Sequence, residues 1–222
     1  MLVWLQIEPF VDCKSQYIIA SETSSANVND QRMAIMLLKY LKEHFPRLAP
    51  KHVLADKGYD GEPVYRKIRE IGAFPLIPLI HRVKLPEGVD EHLRPTCQQG
   101  HPYVYDSYDA KRDTVKFTRP KECMACPFEA DGCQKVFKFR VKEDVRRFTA
   151  PGRGSEKWAQ LFKQRTAIER VFAYLKLYLE LGSTRKLKKR ALVDIQLSYL
   201  TYNLCKLALD RLNRTMLEPQ VA

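Results

Sequence analysis

Three short β-branched, apolar runs separated by two amphipathic helical ones commit the first third of the chain to an α/β sheet with covering helices. Gln16–Thr23 reads as a strand, and Ser24–Asn29 as a polar loop. Asp30 is the expected N-cap of a helix over Gln31–His44, which carries Met33, Ile35, Met36, Leu37, Leu38 and Leu41. Pro46 and Pro50 bracket the exit. His52–Ala55 is a short apolar strand, Glu62–Ile71 a helix stopped by Gly72, and Phe74–Ile80 a buried strand.

The first of these strand ends to carry chemistry is the one after His52–Ala55, which runs straight into Asp56-Lys57-Gly58-Tyr59-Asp60-Gly61. An acid at the carboxyl end of a core strand sits at the rim where open α/β sheets place ligands. A turn-forming Asp before Gly is the competing reading of Asp56. Asp60, four residues on, lies in the turn and is expected to initiate the following helix.

Ser155–Leu181 contains no Pro and no Gly and is expected to form one helix. At about 100° per residue, Phe162, Arg165, Glu169 and Lys176 fall within an arc of about 60° on one face. Leu161, Ile168, Phe172, Leu175 and Leu179 make a neighbouring apolar stripe. One carboxylate and two cations are thus held at the margin of a buried surface, which suits a metal-binding acid flanked by phosphate-binding groups. Any amphipathic helix also shows charges beside an apolar stripe, and Arg165 is a helical partner for Glu169 at i−4.

Between the strands and this helix, about Lys84–Pro151, the character changes. Cys97, Cys123, Cys126 and Cys133 are spaced C-x25-C-x2-C-x6-C. Four thiolates satisfy tetrahedral Zn2+, and C-M-A-C has the close step of a zinc knuckle. Four unrelated thiols are the alternative. Tyr103–Tyr108 and Thr114–Thr118, with a turn at Asp109–Asp113, read as a β-hairpin between the cysteines, and His101 is a substitute ligand. After Gly182-Ser183-Thr184, the cations Arg185, Lys186, Lys188, Lys189 and Arg190 precede a helix at about Ala191–Leu212. Such a run can grip a phosphate backbone without reading sequence, or simply be a solvated turn.

The net charge of +12 and pI of about 9.4 make nucleic acid the leading partner class. No apolar run approaches the roughly 20 residues of a membrane span. Met1–Phe10 lacks a basic flank and a cleavage site, so no signal peptide is expected. The six cysteines are clustered rather than spread as a disulfide framework, which fits a reducing cytoplasm.

The string F-x2-R-x3-E-x6-K, from Phe162 to Lys176, resembles the Y-x2-R-x3-E-x6-K signature of DDE transposases from bacterial insertion sequences. ADKGYDG resembles the block around the second catalytic Asp of the same family. The resemblance covers about Val11 to Leu209. It maps catalytic, metal-binding carboxylates onto Asp56 and Glu169, and DNA contacts onto Arg165 and Lys176. Phe162 replaces the usual Tyr, so any role of that hydroxyl is absent. The implied fold is α/β, a ribonuclease H-like mixed sheet with flanking helices and a small cysteine-containing β-rich insertion. The expected division is 1–83 and 152–212 for the core, 84–151 for the insertion with a structural Zn2+, and 213–222 for a tail. Mg2+ or Mn2+ is the implied cofactor, and double-stranded DNA at transposon ends the implied partner, with a homodimer as the candidate assembly. The implied location is cytoplasmic, at the nucleoid, with no membrane.

The family's first catalytic Asp belongs upstream of a block like VDCKSQYIIASETSSANVNDQ. Within Met1–Pro9 only Glu8 is acidic, and Asp12 matches a non-catalytic position. The resemblance therefore implies a transposase fragment, truncated at the N-terminus and inactive alone. The alternatives are a zinc-stabilised DNA-binding protein that inhibits transposition, and an unrelated α/β nuclease with the same metal-dependent chemistry.

Overall fold

The computed structural model describes residues 5–25, 28–80, 85–120, 123, 133–181 and 188–217. The chain divides into two units, one formed by residues 1–37 and 164–222, the other by residues 38–163.

In the first unit, β1 (Leu5–Val11) and β2 (Ile18–Ser25) form an antiparallel hairpin. Asp12 shapes the turn: its carboxylate accepts from the backbone N–H and the hydroxyl of Ser15, and its carbonyl from the Gln16 N–H. These bonds hold the Asp12 carboxyl below its ordinary range. Gln16 takes φ +62° to close the turn. Helix α5 (Lys188–Leu217) lays Asn203 against the strand, where its amide accepts from the Ile18 N–H at 3.0 Å and donates to the Ile18 carbonyl at 2.8 Å. One side chain thus satisfies both backbone groups of a strand residue. Helix α4 (Thr166–Tyr178) completes the core, in which Ile18, Val171, Leu175, Leu181, Ile195, Tyr199 and Tyr202 are buried together.

The Tyr199 hydroxyl is buried with no hydrogen-bond partner among the described residues. Burial, reinforced by the nearby Glu8 carboxylate, pushes its pKa up. Tyr199→Phe is expected to stabilise the chain by about 1 kcal/mol, because an unmade bond costs more than an absent one. A urea midpoint that falls in the variant would refute this.

In the second unit, β3 (His52–Leu54) and β4 (Phe74–Leu76) pair in parallel, and α2 (Glu62–Glu70) makes the crossover. α2 buries Val64, Tyr65 and Ile68. Its N-cap is Gly61, not Asp60, and Gly72 at φ +81° follows its last turn. A three-stranded antiparallel sheet follows, β5 (Val104–Asp109), β6 (Thr114–Thr118) and β7 (Val136–Arg140). Tyr103, Val115, Phe117, Val141 and Phe148 form its core, with Phe137 and Phe139 packed against them. Arg69 lies 3.9 Å over the Phe74 ring and pairs with Asp113 at 3.0 Å, tying α2 to the β5–β6 turn. α3 (Glu156–Phe162) closes the unit.

The described strands form three sheets, β1–β2, β3–β4 and β5–β6–β7. Two expectations are corrected. The helix α1 (Asp30–His44) is capped by Asn29, whose side chain accepts from the Gln31 N–H at 2.8 Å, rather than by Asp30. The expected helix over Ser155–Leu181 is broken by a 3-10 turn at Lys163–Arg165. Such a turn advances each residue by about 120° rather than 100°, so three residues shift the downstream face by about 60°.

Candidate functional site

Asp56 stands where the sequence places it, at the carboxyl end of a parallel strand. β3 ends at Leu54, and the Ala55 N–H extends the pairing to the Leu76 carbonyl. Asp56 then leaves the sheet, exposed, as the N-cap of the 3-10 turn Lys57–Tyr59. One carboxylate oxygen accepts from the Lys57 N–H at 2.7 Å, a bond internal to the turn.

Asp60 has a different fate. It is buried, and its carboxylate takes a bidentate pair of bonds from Arg146, at 2.8 and 2.6 Å. The Ile80 N–H and the Tyr65 hydroxyl also donate to it, at 2.6 and 3.0 Å. Burial alone would raise its pKa, but these donors overcome that and hold the carboxyl below its ordinary range. Arg153, buried beside it, donates to the carbonyls of Ile77 and Arg146 and to the Tyr65 hydroxyl. All four lone-pair directions of Asp60 are therefore engaged, and this acid has no capacity left for a ligand. The network was not legible in the sequence, because Arg146 lies 86 residues from Asp60.

Glu169 lies in the first turn of α4, and Arg165 donates to its Oε1 at 2.6 Å. The Glu169 side chain is 54 % exposed, so this pair adds only about 0.3–0.5 kcal/mol to stability. Lys176 is in the last turn of α4 and exposed. Phe162 belongs to α3, where it stacks on Trp158 at 5.0 Å. The 3-10 turn Lys163–Arg165 separates Phe162, on α3, from α4, while Arg165 keeps its contact with Glu169. Asp56 is part of the second unit, and Glu169 and Lys176 part of the first.

Of the basic run, Lys188, Lys189 and Arg190 open α5, and no acid stands in that first turn. Cations at the positive end of a helix dipole oppose the usual preference, and a bound anion would reverse the penalty. Arg185 and Lys186 lie outside the described residues.

Among the cysteines, Cys126 also lies outside the described residues. Cys97 sits in a tight turn, its N–H bonded to the His101 carbonyl and its own carbonyl to the Gly100 N–H. Cys133 approaches the Tyr103 hydroxyl at 3.8 Å. Burial, then Cys133, and then Cys97 and Cys123 push that hydroxyl up to about 12. Yet no group of three or more His, Cys, Asp or Glu side chains among the described residues is arranged to hold a metal ion. No helix among them is long and apolar enough to cross a membrane.

The family described as Transposase DDE domain matches residues 5–204, and the chain belongs to that family. No curated protein and no solved structure matches it. Membership makes a transposase domain the functional class and DNA the partner class.

Proposed function

We propose that this DDE domain acts on double-stranded DNA by metal-dependent phosphoryl transfer, with Asp56 and Glu169 as two of its carboxylates. The observation that carries the reading is the exposed Asp56 at the carboxyl end of β3, within the matched span. Carboxylate oxygens are the donors a hard divalent cation takes. Asp56 and Glu169 would hold Mg2+ or Mn2+, which supplies charge stabilisation at a transferring phosphate. The exposure of both acids, and the weakness of the Arg165–Glu169 pair, fit groups kept available rather than spent on folding. Arg165 positions the Glu169 carboxylate. Lys176 and the first turn of α5, with Lys189 and Arg190, bind phosphates along the duplex.

In Mn2+, the purified chain is expected to retard plasmid DNA. Nicking by the wild type that disappears in Asp56→Ala and Glu169→Ala would show that both acids serve cleavage. Nicking that survives both substitutions would overturn the assignment of the two acids.

A zinc-stabilised β-lobe accompanies this reading, with Cys97, Cys123, Cys126 and Cys133 as ligands. It is supported by the C-x2-C step and by Cys133 lying 3.8 Å from the Tyr103 hydroxyl in the same lobe. Elemental analysis of chelator-free protein should find about one zinc per chain, lost in Cys123→Ser. Metal-free wild type that keeps the same thermal midpoint would sink it.

A further inference from the structure

The outward face of the β5–β6–β7 sheet carries a cluster of cations. The β6–β7 register sets Lys116 directly opposite Lys138, and Thr114 opposite Arg140. Like charges facing each other across an antiparallel pair destabilise it. Alternation fixes which side they occupy. Val115 and Phe117 point into the core with Phe137 and Phe139, so Lys116, Lys138 and Arg140 share the opposite side with Thr114 and Thr118. Asp106 pairs with Lys116 at 3.0 Å. Lys138 and Arg140 are exposed and carry no ion pair among the described residues. From Gln134 to Lys142 the chain reads QKVFKFRVK, with no acid to offset its cations. Successive rows on this face are about 6.6 Å apart, a repeat close to that of neighbouring phosphates on a nucleic-acid strand.

We infer that the β6–β7 face, through Lys138 and Arg140 flanked by Lys116, is a second DNA-backbone contact, separate from the α4–α5 residues. The inference rests on the reading of the chain as a DNA-binding transposase domain. A polyanion supplies Lys138 and Arg140 with the counter-charge they lack among the described residues, whereas Lys116 already has Asp106 at 3.0 Å. Small hydroxyl residues in the same rows, Thr114 and Thr118, leave the surface open to close approach. The competing explanation is that cations on an edge strand block sheet-to-sheet aggregation, since β7 is the last strand of its sheet. Both explanations account for Lys138 and Arg140, and the salt dependence of DNA binding separates them.

The test is the salt dependence of binding to two 30-base-pair duplexes of unrelated sequence, by fluorescence anisotropy of the full chain. Lys138→Thr/Arg140→Thr is compared with Lys39→Gln/Lys42→Gln, which removes the same charge from α1, and with Lys189→Gln/Arg190→Gln. The sheet variant is expected to bind both duplexes at least about tenfold more weakly in low salt. Its slope of log K against log salt should be shallower by about 1.8, the value for two lost phosphate contacts. The α1 variant should keep the wild-type slope. The thermal midpoint of the sheet variant should be unchanged or higher, which separates lost contact from lost folding. A sheet variant with the slope of the α1 variant overturns the inference, and self-association of that variant would then identify an edge guard. If Lys189→Gln/Arg190→Gln alone flattens the slope, the sheet contact fails while the DNA-binding reading stands. If the wild type binds neither duplex, both fail.

Discussion

Asp60→Ala is expected to cost about 3 kcal/mol or more and to lower the melting midpoint by roughly 10 °C. The Asp60 side chain is fully buried, whereas Arg146 keeps about a third of its exposure. Removing the carboxylate strips Arg146 of its bidentate partner and leaves the Ile80 N–H and the Tyr65 hydroxyl short of an acceptor. Part of the Arg146 guanidinium can turn to water, which sets the estimate at the low end for a broken buried pair. The acid limb of stability follows from the same group. Its folded pKa is depressed below the unfolded value of about 3.9. The contribution is therefore fully present above that value and is lost as pH falls through the lower, folded one. Asp60→Asn cannot ionise and should lose that part of the acid-side dependence. Urea denaturation of the full chain between about pH 3 and pH 7 measures both effects. An Asp60→Ala chain within 1 kcal/mol of wild type at pH 7 would show that the network contributes little.

Mn2+ binding is expected to weaken about 100-fold or more in either Asp56→Ala or Glu169→Ala, as for removal of a direct ligand. Electron paramagnetic resonance of free Mn2+ during titration reads this without requiring cleavage. Two carboxylates that serve one ion give equal losses in each single variant and little further loss in the double. Independent losses that add would instead show two unrelated surface sites. Asp60 is the internal control for the choice of acid. Asp60→Asn should keep Mn2+ affinity wherever the chain remains folded, because its oxygens are consumed by Arg146, Tyr65 and Ile80. Loss of Mn2+ binding in a folded Asp60→Asn chain, with Asp56→Ala unaffected, would exchange the roles of the two acids.

Asp56 and Glu169 were legible because each depends on local pattern. A short apolar run ending in DKG places an acid at a strand end, and i, i+4 spacing joins Arg165 to Glu169. The hairpin at Tyr103–Tyr108 and Thr114–Thr118 was legible for the same reason and lies within a residue of β5 and β6. β1 was not anticipated. Pro9 interrupts its pattern, and its pairing with β2 depends on a turn built by the Asp12 carboxylate and Gln16 in a left-handed conformation. The break at Lys163–Arg165 has no Gly or Pro to announce it, so the sequence read one helix where the structure has two.

By itself the sequence determined the transposase family, the strand-end position of one acid, the helical position of the other and the partner class set by the basic charge. Each of these rests on residue type and short-range spacing, which secondary structure preserves. Only the tertiary structure decided that Asp60 is a folding residue rather than a rival ligand. It also decided that Asn203 closes the edge of β2, and that Lys116 faces Lys138. Those facts depend on residues that meet across long separations in sequence, where no local pattern records the meeting.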